Sequence, residues 1–418
     1  MKKTEKILDK INLDILLKKY VAVTGMGCIS AIGRNIQENW DSLSSNKSGI
    51  GPIDILDTQH KNLLVAEIKL ENSDLRTLCN LGNEDLYTRT ELLSVHAIQE
   101  LMGKVHLTQE MLADTAFINS TTVGGMDTTE KYYHEFLESE ENRHFIPHNS
   151  TGYGSDLVAN ILGINGFRTT ISTACSSAAN AIMLGARMIQ DGLVDRVIVG
   201  GVDSLSKFTV NGFNSLRIYS DQYCKPFDEN RNGLNLGEAA AYLLLESENS
   251  LKETQNTPIA YVAGYGNAND AFHQTASSDD GNGSYLAMKK ALDIAQIQAN
   301  EIDYINAHGT ATPNNDLSES RSMIRLFGAA ENIPVFSSTK AFTGHTLAAA
   351  GAIEAVFSIL AIQNEAIFAN LNFKNPIEDT GLIPHVTFKD KSPLKYVLSN
   401  SLGFGGNCSA LIFSKNSN

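Results

Sequence analysis

The chain alternates short apolar runs with longer segments rich in alanine and leucine. The short runs predict buried strands at residues 20–25, 196–201, 241–246, 259–266 and 303–309. The longer segments predict helices at residues 176–190, 284–295 and 347–363. Because runs without polar alternation are covered on both faces of a sheet, this order predicts an α/β fold with largely buried sheets.

Two segments of the chain repeat one pattern. ISTACSSAANAI (171–182) and SSTKAFTGHTLAAAGAI (337–353) each run from Ser-Thr through a polar turn into an alanine-rich helix. This echo predicts two duplicated α/β units with active residues drawn from both. The polar segment KETQNTP (252–258) is the candidate linker, so we expect a leader at 1–19, an N-terminal half at 20–257 and a C-terminal half at 258–418.

Two segments interrupt the pattern. Residues 127–149 are the most polar of these, and we expect a surface excursion that serves as a lid or a subunit contact. Residues 1–19 predict a short packing helix or loose leader, with a partner or membrane-surface contact as the alternative. Acidic residues break their apolar run, so a cleaved signal peptide is not expected.

Composition excludes several classes of protein. The chain carries 33 Lys and Arg against 47 Asp and Glu, a formal net charge of −14, which argues against nucleic-acid binding. The longest apolar stretch, 239–245, is far short of the roughly 20 residues that span a membrane. Five scattered cysteines without a CxxC pair fit a reducing cytoplasm rather than a disulfide or zinc framework.

Cys175, His308, His345 and Lys340 are the candidate reactive groups. Cys175 opens a predicted helix, where the helix dipole favours thiolate and backbone N–H groups can hold an oxyanion. Each residue alone has a structural alternative: a buried cysteine, a histidine in a turn, or a helix cap. Together, a thiol, two imidazoles and a lysine indicate acyl transfer through a thioester followed by stabilisation of an enolate. The histidines are 345 − 308 = 37 residues apart without a second ligand at i+3 or i+4, so no metal is expected.

The tail of the chain, NSLGFGGNCSALIF (400–413), is a glycine-rich turn before a strand. Gly403, Gly405 and Gly406 allow positive φ, and Phe404 between them could swing over a pocket. The other glycine clusters lack phosphate-loop spacing, so no nucleotide cofactor is expected.

Together these residues resemble the β-ketoacyl-acyl carrier protein synthases, the elongating type II branch of the thiolase superfamily. The resemblance covers nearly the whole chain after about residue 19. It rests on VAVTGMGCISAIG, ISTACSSAANAI, KPFDENRNGLNLGEAAAYLLLE, NAHGTATPNND, SSTKAFTGHTLAAAGAIEA and GFGG. It implies a thiolase-like five-layered αβαβα sandwich made of two duplicated halves. A thiolase itself would carry a cysteine base in the C-terminal motif.

The resemblance implies a decarboxylating Claisen condensation in fatty-acid elongation, which yields 3-oxoacyl-ACP and CO₂. Cys175 would accept the acyl chain from acyl carrier protein. His308 and His345 would bind the malonyl thioester carbonyl and stabilise the enolate left by decarboxylation. The backbone N–H groups of Cys175 and Phe404 would form the oxyanion hole.

The resemblance assigns supporting roles as well. Lys340 would pair with Glu319 and organise the site. Further positions match the phosphopantetheine arm (Thr310, Thr312), the acyl pocket and its gate (Val123, Phe213, Phe404) and carrier-protein docking (Arg217). No cofactor of its own is implied, since the phosphopantetheine arm arrives on the acyl carrier protein.

The resemblance also implies a dimer, either a homodimer or a heterodimer with a chain-length factor. Asn232, Ala239 and Asn407-Cys408 stand where the family usually has Asp, Gly and Thr-Asn, which points to a specialised substrate. The alternative function is therefore the active ketosynthase subunit of a polyene, aryl-polyene or resorcinol-type synthase. A non-catalytic partner subunit is disfavoured because such partners typically lose the cysteine, whereas this chain keeps Cys175. A degradative thiolase is disfavoured because its second catalytic cysteine is missing here.

Overall fold

The computed structural model describes residues 20–82 and 86–417, so the predicted leader lies outside the described residues. The strands are β1 (Ala22–Ser30), β2 (Gly51–Pro52), β3 (Leu64–Val65), β4 (Ala116–Ser120), β5 (Arg168–Ile171), β6 (Arg196–Asp203), β7 (Ala239–Glu246), β8 (Ala260–Asn269), β9 (Tyr304–Asn306), β10 (Val335–Ser337), β11 (Tyr396–Leu402) and β12 (Asn407–Ser414).

The α-helices are α1 (Ile36–Ser44), α2 (Asn72–Leu78), α3 (Arg89–Met102), α4 (Gln109–Asp114), α5 (Met126–Glu138), α6 (Thr151–Leu162), α7 (Ser177–Gln190), α8 (Lys207–Ser215), α9 (Glu248–Thr254), α10 (Asn282–Ala295), α11 (Pro313–Phe327), α12 (Lys340–Thr343) and α13 (Ala350–Asn364). Short 3₁₀ turns occupy Arg143–Asn149, Ala299–Glu301, Ala330–Asn332, Leu347–Ala349 and Phe404–Gly406. Every strand and helix predicted from the sequence is present, although the strand predicted at 303–309 ends at Asn306.

The main sheet repeats one strand order twice. Its order across the described residues is β10-β9-β11-β12-β8-β1-β7-β6-β4-β5. If the five strands of each half are numbered separately in chain order, their order from the outer edge of the sheet to its centre is 3-2-4-5-1 in both halves. The parallel and antiparallel pairings also match, with β4 against β5 and β6 parallel and β9 against β10 and β11 parallel. This repetition confirms the predicted duplication.

Within residues 20–82 and 86–417, the two half-sheets are joined only where β1 meets β8, through Ala22↔Tyr261 and Val23↔Ala260. Helices α7 and α13 pack between them: α7 lies on β6, and α13 lies on β7 and β11. Helix α3 covers the outer face of one half-sheet and α10 that of the other. Three separate apolar clusters fill the central layer and the two outer layers. The result is the predicted five-layered αβαβα sandwich.

The central helices pack closely because they carry small residues where they meet. A Cβ added at Gly351 would lie 2.6 Å from the Ala179 backbone nitrogen and 3.0 Å from the Ala179 Cβ. The segment Leu347–Asn364 is apolar and long enough to cross a membrane by composition, but 89% of it is buried inside the protein. A helix that is apolar on all sides is what a central core layer requires.

The predicted linker begins later than expected, and the predicted excursion is an ordered segment with exposed side chains. Residues up to Thr254 belong to α9, because the Thr254 hydroxyl donates to the buried Glu246 carboxylate (2.9 Å) and holds the helix on the sheet. The excursion is ordered as α5 and the following 3₁₀ turn. It exposes Tyr133 (53%) and Leu137 (67%), while a buried hydrogen bond between His148 and Glu91 (2.7 Å) anchors its end. Its role as a lid or subunit contact stays a prediction.

The contact between α7 and α13 predicts the effect of a single methyl group. Gly351→Ala should lower the free energy of unfolding by about 1–3 kcal/mol, because the added Cβ forces the helices apart. This loss outweighs the roughly 1 kcal/mol that alanine contributes to helix propensity. Gly212→Ala in α8, where no atom lies within 4 Å of the new Cβ, is the matched control and should not lose stability. Urea denaturation measures both, and a Gly351→Ala protein as stable as the parent would contradict this packing.

Candidate active site

Cys175 lies at the tip of a tight strand-to-helix turn that precedes α7. Ala174 adopts φ +51°, a left-handed conformation that costs a non-glycine residue about 1–2 kcal/mol. The turn is held by the Ser176 hydroxyl, which donates to the Thr173 carbonyl (2.7 Å), and by the Ser177 hydroxyl, which accepts from the Thr173 N–H (2.8 Å). This geometry projects the thiol into a cavity, although the side chain is only 6% exposed.

Cys175 does not rest as a thiolate, although its place at a helix start favours that form. Burial raises the pKa of this thiol to about 11. The positive charge of Lys340 and a hydrogen bond from the Phe404 backbone N–H lower the pKa but do not outweigh burial. Cys175 is therefore protonated at neutral pH, beside groups that favour its thiolate.

His308 and His345 meet at right angles beside the thiol. Their ring centroids are 5.4 Å apart, and the rings are inclined by 89°. Lys340 Nζ lies 3.1 Å from His308 Nδ1, and the Leu347 backbone N–H donates to His345 Nδ1 (3.0 Å). An ammonium and a backbone N–H only donate, so both Nδ1 atoms accept and both Nε2 atoms carry the proton.

Both imidazoles are neutral. Burial, followed by the charge of Lys340, lowers the pKa of His308 well below its usual value and that of His345 to about 3. Each ring therefore offers one neutral N–H donor to the cavity at physiological pH.

Lys340 pairs with Glu354 and not, as the resemblance implied, with Glu319. Its Nζ bonds Glu354 Oε1, and both side chains are only 2% exposed. Glu319 is engaged elsewhere: it accepts the N–H groups of His308 and Gly309 (both 2.8 Å) and so holds the histidine turn. Burial raises the pKa of Glu354 to about 7, against the lowering effect of Lys340.

Glu354 was missed by the sequence analysis, although a signal was available. It is the only charged residue of helix α13, whose residues from Ala350 to Ile362 are all buried and, apart from Glu354 and Ser358, apolar. A lone carboxylate in such a helix needs a buried cation, and Lys340 was the lysine that the motif analysis already placed nearby.

Two cavities meet at Cys175, Phe213 and Phe404. One is an apolar chamber of about 440 Å³ that includes the predicted pocket residue Val123 as well as Phe208, Leu216 and Leu347. The other is a more polar opening of about 300 Å³, lined by both histidines and by the predicted residues Thr310, Thr312 and Arg217. The structure therefore brings the predicted residues together around one point, apart from Lys340 and Glu319, which line neither cavity and instead contact His308 and its turn.

The loop Gly403–Gly406 lines the polar opening, and its Phe404 also lines the apolar chamber. Gly405 and Gly406 adopt φ +81° and +80°, which only glycine tolerates well, and the Phe404 ring stacks on Phe213 at 5.9 Å. The Asn407 side-chain oxygen accepts from the Asn180 amide (2.9 Å) and lies 2.7 Å from the Ser176 hydroxyl, whose one proton is shared between this oxygen and the Thr173 carbonyl. These bonds tie the loop to the nucleophile turn from the other half of the chain.

Family models match both halves. The model "Beta-ketoacyl synthase, N-terminal domain" matches residues 18–250, and "Beta-ketoacyl synthase, C-terminal domain" matches residues 259–374. The 3-oxoacyl-[acyl-carrier-protein] synthase 2 of Staphylococcus aureus (strain COL) is 31% identical over 95% of this chain and 98% of its own length. The enzyme of the same name from Vibrio cholerae is 30% identical over 95% and 99%.

Two solved structures of ketosynthases are also similar to this chain over nearly its whole length. The ishigamide ketosynthase/chain length factor superposes with a TM-score of 0.89 at 28% identity, over 96% of this chain and all of that one. A ketosynthase in complex with its chain length factor from Xenorhabdus doucetiae gives a TM-score of 0.80 at 30% identity, over 95% and 98%.

The raised pKa of Cys175 predicts how its alkylation depends on pH. Its rate of reaction with iodoacetamide should rise about tenfold per pH unit from 7 to 10, since only thiolate reacts. Peptide mapping by mass spectrometry measures the rate. Cys224, which is 2% exposed and lines neither cavity, is the internal control and should stay unmodified. A rate that levels off by pH 8 would mean that the thiolate is already formed at rest.

Proposed function

This chain belongs to the β-ketoacyl synthase family, and we propose that it condenses a Cys175-bound acyl chain with a malonyl thioester. The observation that carries the proposal is the meeting of two cavities at a thiol that is flanked by two neutral imidazole donors. The chain is an acyltransferase of the ketosynthase type, so its products are a 3-oxoacyl thioester and CO₂.

In the first half-reaction Cys175 takes the acyl chain. The sulfur attacks the incoming thioester carbonyl, and the carrier thiol leaves with the proton that the cysteine loses. The developing oxyanion lies at the backbone N–H groups of Cys175 and Phe404, the second of which already bonds the sulfur. The charge of Lys340 favours the transient thiolate.

In the second half-reaction the histidines act on the malonyl group. Their Nε2–H groups donate to the thioester carbonyl, the bond to the carboxylate breaks, and CO₂ leaves. The electron pair of that bond becomes the enolate, whose oxygen the two donors stabilise. The enolate carbon then attacks the acyl-cysteine, the bond between the carbonyl carbon and the sulfur breaks, and the expelled thiolate takes up a proton from water.

The two cavities suggest where each part of the substrates binds. The apolar chamber suits the acyl chain, and the polar opening suits the phosphopantetheine arm, with the hydroxyls of Thr310 and Thr312 (2.9 Å apart) facing it. Arg217 in the same opening is suited to an acidic carrier protein. We therefore propose acyl carrier protein as the partner that delivers both substrates, with no further cofactor.

A specialised synthase is the second candidate, and the structural relatives favour it. Two of them are ketosynthases described with a chain length factor, and one superposes with a TM-score of 0.89. In this reading the chain pairs with such a factor to extend polyene, aryl-polyene or resorcinol-type chains, whereas fatty-acid elongation would use a homodimer. A cytoplasmic location fits both, because each of the five cysteines is a free, buried thiol.

Intact-protein mass spectrometry tests the proposal and separates the candidates. The protein is incubated with acyl carrier proteins loaded with C4 to C16, polyenoyl or aryl groups, and Cys175→Ala is the control. We expect an adduct that depends on Cys175. Restriction to saturated long chains supports fatty-acid elongation, and restriction to polyenoyl or aryl donors supports the specialised synthase. An adduct that persists in Cys175→Ala would contradict the assigned nucleophile.

A further inference from the structure

Asp203, at the end of β6, joins parts of the site that come from both halves of the chain. It is fully buried and accepts five hydrogen bonds. Oδ1 accepts from the Thr121 hydroxyl (2.6 Å) and from the N–H groups of Thr122 (2.9 Å) and Val123 (3.1 Å). Oδ2 accepts from the Thr122 hydroxyl (2.5 Å) and from the Ala348 N–H (2.8 Å).

The first set of these bonds holds a wall of the acyl chamber. Thr122 and Val123 follow strand β4 and line the chamber beside Cys175. Both of their backbone N–H groups bond the same oxygen of Asp203, so the carboxylate fixes how far this loop projects into the chamber. No other side chain accepts these two N–H groups among the hydrogen bonds of the described residues.

The second set reaches the turn that orients His345. Ala348 follows Leu347, whose φ of +52° places a branched apolar residue in the left-handed region. The Leu347 N–H donates to His345 Nδ1, and the Leu347 side chain lines the chamber. A strained conformation persists only where neighbouring contacts hold it, and the bond from Ala348 to Asp203 is such a contact.

We propose that Asp203 is a positioning residue that fixes the chamber wall and the His345 turn together, and so sets which acyl chains Cys175 accepts. This inference rests on the proposed function of Cys175. The Asp203 carboxylate connects the two halves of the fold, since Asp203 lies at the end of β6 in the first half and its partner Ala348 belongs to the second. A movement of the chamber wall therefore displaces the His345 turn, and a movement of that turn displaces the wall.

Replacement by asparagine tests the carboxylate directly. Three of the five donors are backbone N–H groups, and they bond both oxygens, so either orientation of an Asn amide sets its NH₂ against an N–H. Asp203→Asn should change the ratio of acylation rates for the longest and shortest accepted chains by about tenfold, the effect of one unsatisfied buried donor. The rate of malonyl decarboxylation should fall by a similar factor without a matching change in KM.

Glu246→Gln is the matched control. Glu246 is a fully buried carboxylate that accepts four hydrogen bonds, from Thr24, Ser250, Thr254 and Asn256. Glu246 lies seven residues along β7 from Ala239, the residue that pairs with Asp203. At the rise of a β-strand this separation is about 23 Å, so Glu246 is far from Asp203 and from the chamber. It should lower the unfolding temperature and leave the chain-length ratio unchanged.

Thr121 provides a second test if Asp203→Asn does not fold. Its hydroxyl bonds Asp203, but its side chain does not line the chamber. Thr121→Val should shift the ratio by about threefold, and Thr121→Ser, which keeps the hydroxyl, should restore it.

The acylation rates are measured by intact mass with acyl carrier proteins of C4 to C16. An unchanged ratio in folded Asp203→Asn, or in Thr121→Val when the former does not fold, overturns the inference. Failure of the parent protein itself to form the adduct would instead overturn the proposed function.

Discussion

The close packing of α7 against α13 is the contact on which the active site depends. Each helix begins at a turn that carries reactive groups, with Cys175 before α7 and His345 before α13. Only small residues at the crossing, Gly351 against Ala179, let the two helices approach closely enough to bring these turns together. The duplication of the fold therefore has a chemical consequence, because each half supplies what the other lacks.

Burial and neighbouring charges then set the protonation states of the groups that this packing brings together. Burial keeps the Cys175 thiol protonated and both imidazoles neutral, so the resting site carries no charge on the groups that would meet the substrate. The charged groups are Lys340 and Glu354, which pair with each other behind His308 and line neither cavity. Neutral N–H donors suit an oxyanion that forms and disappears within one reaction cycle, whereas a permanent cation there would stabilise the starting malonyl carboxylate as well.

The sequence predicted the fold well because its signals were local or repeated. Apolar runs located β6, β7 and β8, and the echo around Cys175 and His345 indicated the duplication. The residues that were missed depend on tertiary contacts. Lys340 could have paired with Glu319 or Glu354, and only the orientation of α11 and α13 decides between them. The left-handed Ala174 has no glycine to mark it, and the pKa of Cys175 depends on burial that a helix-start argument does not include. Asp203 looks like an ordinary strand end until its five donors are seen.

The most direct test of the account separates decarboxylation from acyl transfer. Malonyl carrier protein labelled with ¹³C at the carboxylate is given to Cys175→Gln, His308→Ala and His345→Ala, and CO₂ release is followed by mass spectrometry on proteins shown to be folded. We expect that Cys175→Gln still releases labelled CO₂, while each histidine variant loses this activity by at least about 10²-fold, the effect of one oxyanion donor. Release that continues without either histidine, or that stops in folded Cys175→Gln, would contradict the division of roles between thiol and imidazoles.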